Sequence, residues 1–296
     1  MLEKLKGNIL FHKFLRRHDI RKAYAMVGPE DSWYDTITTV HRSLAELRKL
    51  PHEMLEITSF DGLKLKAIYY PCGSEKTVVW VHGYTSHAER ESAFPGLFYR
   101  SLGFNVLIPY LRAHGPSEGR YISFGALEHR DIMQWVDRVN SMIPDGQILL
   151  HGLSMGGGIV LDLADKEMKN VKCLISDAPS VSISGFFRNA SAYTFKTEPE
   201  KIAEFAMARF KKEFHADASS FDRLETVKNG RYPILATAGS NEQMDDLLKT
   251  IQKNNPMETQ VLILPGCDHG NGMYRQTRVY EEAITAFIER HMTVAQ

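Results

Sequence analysis

Apolar and polar positions change their period several times along this chain of 296 residues. Over residues 1–50 the apolar positions recur at helical spacing, with Leu44, Leu47 and Leu50 on one face, and Pro51 ends the pattern. From 54 to 70 they alternate with polar positions around Asp61-Gly62, which predicts a hairpin of two antiparallel strands. Continuous apolar runs then appear at 78–81, 105–109, 147–151, 171–176, 233–237 and 260–264. Helical stretches at 90–102, 126–139 and 276–290 separate some of them. Unalternated strands interleaved with helices predict an α/β fold with a mainly parallel sheet of about eight strands, buried on both faces.

The alternation breaks after the sixth strand, where residues 178–232 carry no strand signal. Thr197-Glu-Pro-Glu200 has the form of a capping box, and Ile202, Phe205, Phe210 and Phe214 give the helix after it an apolar face. At the carboxyl edge of a sheet, such an insertion reads as a small helical cap over a pocket, about residues 179–231. The chain then divides into an N-terminal helical segment, 1–51, packed on the core, and a domain, 52–296, that carries the cap.

Composition is that of an ordinary globular protein, 43% hydrophobic and 24% charged, with formal net charge zero. That balance argues against a nucleic-acid partner. Cys72, Cys173 and Cys267 are an odd, widely spaced set without C-x-x-C, which points to a reducing, cytoplasmic setting. No metal-ligand spacing such as H-E-x-x-H occurs, and no metal or cofactor is expected. No run reaches the roughly 18 apolar residues of a transmembrane helix. The start of the chain is basic: Lys4, Lys6, Lys13, Arg16, Arg17, Arg21 and Lys22 stand against Glu3 and Asp19. Packing of its apolar stripe (Leu10, Phe11, Phe14, Leu15) on the domain is favoured over contact with a membrane surface.

Candidate chemistry centres on residues 148–161. An apolar run stops at His151, a Gly152-x-Ser154-x-Gly156 turn follows, and a helical pattern begins. Strand, sharp turn and helix form the context of a nucleophile elbow, which lifts Ser154 clear of its backbone. Such a serine needs a base, an acid to orient the base, and amide donors for an oxyanion. His269 lies in a glycine-flanked loop after the last strand and is the expected base. The backbone amides of Met155, next to the nucleophile, and Tyr84, after His82-Gly83, are the expected donors. For the acid, Glu242 lies three residues after Gly239 at a strand tip. Asp177, and Asp245 or Asp246, remain open alternatives.

Together these residues resemble the α/β-hydrolase superfamily, and in particular bacterial serine hydrolases of the serine-aminopeptidase-like or esterase-like kind. The likeness runs over about residues 52–292. It takes in Asp61-Gly62, His82-Gly83-Tyr84, residues 111–119, residues 121–125, the elbow, Ser176-Asp-Ala-Pro179 and residues 265–270. It implies Ser154 as nucleophile, His269 as base and the Tyr84 and Met155 amides as oxyanion hole, with the Arg112–Ser117 loop as a structural buttress. Tyr110 stands where the family commonly has aspartate. Glu242 stands where the family has its catalytic aspartate, and Met244-Asp245 replaces the usual Val-Pro. The expected activity is cleavage of a small or medium acyl or aryl carboxylic ester through an acyl-enzyme. A peptidase, aminopeptidase or thioesterase would use the same triad, and a silent ligand-binding fold is the alternative of another class. An aminopeptidase would need a carboxylate near the substrate, with Glu198, Glu200, Glu204 and Asp217 of the cap as candidates.

Overall fold

The computed structural model describes residues 1–18, 31, 33–180 and 182–292. Helix α1 (Leu2–Leu15), a 3-10 turn (Tyr34–Thr36) and α2 (Ile37–Leu47) come before the sheet. The sheet and its connections follow as β1 (Glu53–Thr58), β2 (Lys64–Tyr70), β3 (Lys76–Val81), α3 (Ala88–Ser101), β4 (Asn105–Pro109), α4 (Glu128–Met142), β5 (Gln147–Leu153), α5 (Met155–Asp162) and β6 (Val171–Asp177). The insertion contributes α6 (Ile183–Thr194), α7 (Pro199–Phe214) and α8 (Arg223–Lys228). The chain closes with β7 (Ile234–Gly239), α9 (Asp245–Asn254), β8 (Thr259–Leu264), α10 (Gly272–Arg275) and α11 (Thr277–His291).

The eight strands lie in the order β1-β2-β4-β3-β5-β6-β7-β8. β1 pairs antiparallel with β2, and β2 antiparallel with β4; every later pairing is parallel. This is the sheet that the α/β-hydrolase resemblance implied. Alternate residues of β3 feed opposite cores: Val79 and Val81 join one cluster, Val78 and Trp80 the other. The chain leaves β3 outward to β4 and returns to β5 on the other side. The carboxyl ends of β3 and β5 therefore flank the point where the strand order reverses, the place where open α/β sheets bind ligands.

Three features of the helices differ from, or refine, the sequence reading. Thr197 forms no capping box: Glu198 occupies the cap position in left-handed backbone (φ 52°), without a side-chain cap. Pro199 starts the helix there because it has no amide hydrogen and its φ is already helical, so Thr197 falls one residue too early. Second, α1 does not lie on the sheet but along α7, so closely that a Cβ at Gly7 would come 2.5 Å from the Phe205 Cβ. It buries Leu10, Phe11 and Leu15 and leaves Leu2, Leu5 and Ile9 exposed. Asp19, Arg21 and Lys22 lie outside the described residues. No helix among the described residues is long and apolar enough to cross a membrane.

Third, Arg223 of α8, which carried no signal in the sequence, is fully buried. Its guanidinium donates to Asp162 of α5 at 2.9 and 3.1 Å, to the Ser180 carbonyl at 2.7 Å and to the Phe124 carbonyl at 2.6 Å. One cation thus ties the elbow helix to the loops on either side of it. Arg223→Leu leaves the Asp162 carboxylate buried and unpaired, and is expected to cost about 3–5 kcal/mol. Urea unfolding of the variant checks this, and a midpoint equal to that of the parent would contradict it.

Candidate active site

Ser154 sits between β5 and α5 at φ 60° and ψ −115°, a conformation that only a crowded, over-determined turn maintains in a non-glycine residue. Its amide donates to the Asp177 carbonyl (2.8 Å), and its carbonyl accepts from Gly158 (3.0 Å) and Ser180 (3.1 Å). A Cβ at Gly152 would come 2.2 Å from the Gly156 carbonyl oxygen, and one at Gly156 would come 1.9 Å from that of Val81. Glycine at these two positions is therefore a steric requirement of the turn.

His269, in the loop after β8, places Nε2 2.8 Å from Ser154 Oγ. Its Nδ1 lies 2.5 Å from Glu242 Oε2, and the other Glu242 oxygen accepts the Gly239 amide at 2.8 Å. With Nδ1–H donating to the carboxylate, Nε2 is free to accept the serine hydroxyl. The two loops are tied to each other: Asn241 donates from its backbone to the Cys267 carbonyl (3.1 Å) and from its side chain to Asp268 (3.0 Å). The hydrogen bond that His269 donates to Glu242 raises the His269 pKa above its ordinary value. Burial opposes the rise, and the charges of Glu242, Asp177 and Glu91 add to it.

The other acid candidates stand elsewhere, Asp246 beside Asp245 in the first turn of α9. Asp177 is buried, accepting from Thr237 Oγ1 (2.6 Å) and Tyr280 OH (2.9 Å), and its carboxyl is pushed up by burial. It serves the elbow through its carbonyl. Asp245 is the first residue of α9, and the structure gives it no bond to His269. Tyr110, in the family's aspartate position, donates to Glu89 (2.8 Å). Arg112 joins Asp61 of the hairpin to Asp131 of α4 and holds its loop from behind.

Met155 follows Ser154 directly, Tyr84 lines the same cavity as Ser154, and among the described residues neither backbone amide is taken by a protein acceptor. The loop carrying Tyr84 is pinned on each side of Gly83. His82 Nδ1 donates to the Gly83 carbonyl (2.8 Å) while its Nε2 accepts the Leu111 amide (3.1 Å), a tautomer suited to an imidazole that burial keeps neutral. The Gly83 amide donates to both Glu91 oxygens (3.0 and 3.1 Å), and Trp80 Nε1 donates to Glu91 as well (3.2 Å). Burial pushes the Glu91 carboxyl up to about 7, against the pull of these donors. Tyr84 OH donates to the Phe14 carbonyl (2.6 Å), and its ring lies against Phe124 and Phe186. Sequence reasoning passed over Glu91 because a glutamate in the first turn of a helix normally reads as a solvated dipole partner.

A cavity of about 310 Å³ opens onto Ser154 and His269, walled by Leu153, Tyr274, Trp33, Ile37 and Val40. Among the described residues, none of the 179–231 insertion lines it. The apolar face of α7 is used on α1, and Phe186 of α6 backs the Tyr84 ring, so this part of the insertion lies behind the loop that carries Tyr84. The candidate carboxylates Glu198, Glu200, Glu204 and Asp217 are likewise absent from the lining.

Comparison with known proteins agrees with this frame. The family model described as Hydrolase_4, serine aminopeptidase S33, matches residues 73–262. Mouse monoglyceride lipase is 29% identical over 162 residues, covering 53% of this chain and 50% of that protein. The multifunctional-autoprocessing repeats-in-toxin of Vibrio cholerae is 31% identical over 115 residues, which cover 38% of this chain but only 2% of that protein. The chain therefore spans half or less of the length of these relatives. An esterase from Pyrococcus furiosus superposes with a TM-score of 0.64 at 24% identity, over 85% of this chain and 94% of that one. At that identity the likeness speaks for the fold.

Two outcomes follow from the geometry, both read as the rate at which Ser154 reacts with a fluorophosphonate. Glu242→Gln is expected to slow it on the order of 10⁴-fold. It should also move the acid limb of the pH profile to lower pH, because His269 loses the partner that raises its pKa. An unmoved limb would remove Glu242 from the role. Glu91→Ala, which strips the acceptor from the Gly83 amide, is expected to slow labelling by about 10- to 100-fold, less than deleting an oxyanion donor outright. Glu91→Gln, which keeps a side-chain oxygen, should recover most of it; equal losses in the two variants would contradict this anchoring.

Proposed function

This chain belongs to the serine aminopeptidase S33 family of the α/β-hydrolases, and we propose that it cleaves a carboxylic ester through an acyl-enzyme on Ser154. The observation that carries the proposal is the continuous hydrogen-bonded line Ser154–His269–Glu242, at 2.8 and 2.5 Å. Ser154 Oγ attacks the acyl carbonyl while His269 Nε2 takes its proton. The imidazolium formed is stabilised and kept in register by Glu242. The carbonyl oxygen becomes an oxyanion facing the Tyr84 and Met155 amides, at the positive N-terminus of α5. Collapse of this intermediate expels the alcohol, which takes the proton from His269. Water then attacks the acyl-enzyme with His269 again as base, giving the carboxylic acid and free Ser154.

Ester cleavage is favoured over peptide cleavage by the walls of the cavity. Their exposed surface is mainly apolar, although His41, Thr85, Ser86 and Arg90 also line them, and a volume of about 310 Å³ lies at the small end of the roughly 300–1,000 Å³ usual for ligand cavities. An aminopeptidase needs a carboxylate ready for the substrate ammonium. Among the described residues, the acidic groups at the cavity are Asp31, whose Oδ1 accepts the Trp33 amide (2.9 Å), and Glu91, which is held by Gly83 and Trp80. Mouse monoglyceride lipase, by its name an ester hydrolase, supports the same choice.

Hydrolysis of p-nitrophenyl esters from C2 to C12, beside aminoacyl p-nitroanilides, tests the proposal. Esters of short to medium acyl chain should be turned over, and Ser154→Ala should reduce the rate by about 10⁴-fold or more. Turnover confined to the anilides would give the peptidase reading, and ester turnover that survives Ser154→Ala would end the serine mechanism.

A further inference from the structure

The cavity over Ser154 is completed by residues that precede the hydrolase sheet. We infer that Trp33, Ile37 and Val40 of the N-terminal segment are the specificity-determining wall, which fits the apolar part of an ester as a medium-length acyl or alkyl chain or a single aryl group. The inference rests on the ester-hydrolase reading above and adds the element that selects the substrate.

Trp33 stands directly against the catalytic loop. A Cβ on Gly270, the residue after His269, would come 3.4 Å from Trp33 Cζ2 and 3.5 Å from the Leu153 side chain. The indole also meets the Tyr274 ring edge-on at 5.6 Å, and Tyr274 is backed in turn by Phe94 of α3 at 5.1 Å. One end of the cavity is therefore a stack of aromatic rings beginning beside His269. Its side wall is the first turn of α2, through Ile37 and Val40. Val40, Ser43 and Leu47 form the buried face of that helix. The Leu47 methyls reach 3.6 Å from where a Cβ on Gly96 of α3 would stand, so the far end of α2 is fixed on the sheet layer while its near end borders Ser154. The wall is thus anchored at both ends, by the aromatic stack and by α3.

Catalysis and selection are drawn from different parts of the chain. Nucleophile, acid and oxyanion donors all lie within the segment matched by the family model, and His269 follows shortly after it. Residues 33–40 lie before the segment begins. A side chain there can change in size without touching the hydrogen bonds of Ser154, His269 or Glu242. Apolar walls of this kind discriminate by fit, about 10- to 200-fold for a methylene gained or lost.

The test compares kcat/KM across two substrate series, p-nitrophenyl esters from C2 to C12 and acetate esters of alcohols from methyl to octyl and 1-naphthyl. The full chain is used as wild type, Trp33→Ala and Val40→Phe, with rates taken per Ser154 labelled by a fluorophosphonate. Trp33→Ala, by opening the aromatic end, should raise the ratio of long- to short-chain rates, C10 to C4 in the acyl series or octyl to butyl in the alcohol series, by about 10-fold or more in one of the two. Val40→Phe, by filling the side wall, should lower it in the same series. The series that responds identifies whether the cavity holds the acyl or the alcohol part. Ratios unchanged in both variants of an active enzyme would overturn the inference while leaving the ester-hydrolase reading intact. A wild type without Ser154-dependent ester turnover would remove that reading, and this inference with it.

Discussion

The rest of the structure depends on how closely the β5–α5 turn approaches its neighbours. Ser154 can hold a positive φ because its amide and carbonyl are each pinned and because backbone occupies the space where side chains at 152 and 156 would be. The strain, of order 1–3 kcal/mol for such a residue, is offset by the packing of three elements onto the turn. β3 contributes the Val81 carbonyl, β6 the Asp177 carbonyl, and α8 the buried Arg223 that grips α5. The sheet order that puts β3 and β5 side by side is what lets one turn receive the loop of Tyr84 as well as the loops of Glu242 and His269.

Around that turn stand three carboxylates with three environments. Glu242 accepts from His269 Nδ1 and from the Gly239 amide at a strand tip. Asp177 is buried among hydroxyl donors, part of a network in which Tyr280 also meets His151 (3.2 Å). Glu91 lies below the loop of Tyr84, where burial pushes its carboxyl up against three donor contacts. Sequence position favours Glu242 over Asp177 but gives no sign of the Glu91 environment, which is set by desolvation and by donors distant in the chain.

What was legible follows the same division. The hairpin at Asp61-Gly62, the parallel strands and the elbow are local patterns, each carried by one short contiguous stretch, and the structure has them within a few residues of where periodicity put them. Ser154, His269 and Glu242 could be singled out because each lies at or just beyond a strand end, and the fold brings all three together. The wall of the cavity was not legible. An insertion after β6 looks like a cap by position alone, yet α7 turns its apolar face to α1, a pairing between residues 7 and 205 that no local pattern announces. Trp33 and Glu91 were missed for the same reason: their importance lies in which glycine they approach. Thr197 misled because the capping-box pattern does not account for a proline that sets the first turn by itself.

The central claim is that Ser154 becomes acylated. Acid-quenching the enzyme during turnover of a p-nitrophenyl ester, followed by intact-mass measurement and peptide mapping, tests this most directly. The account predicts an added acyl mass confined to the peptide containing Ser154, growing with the acyl chain of the substrate and absent from Ser154→Ala. Turnover without an adduct at any acyl length, or an adduct on another residue, would contradict it.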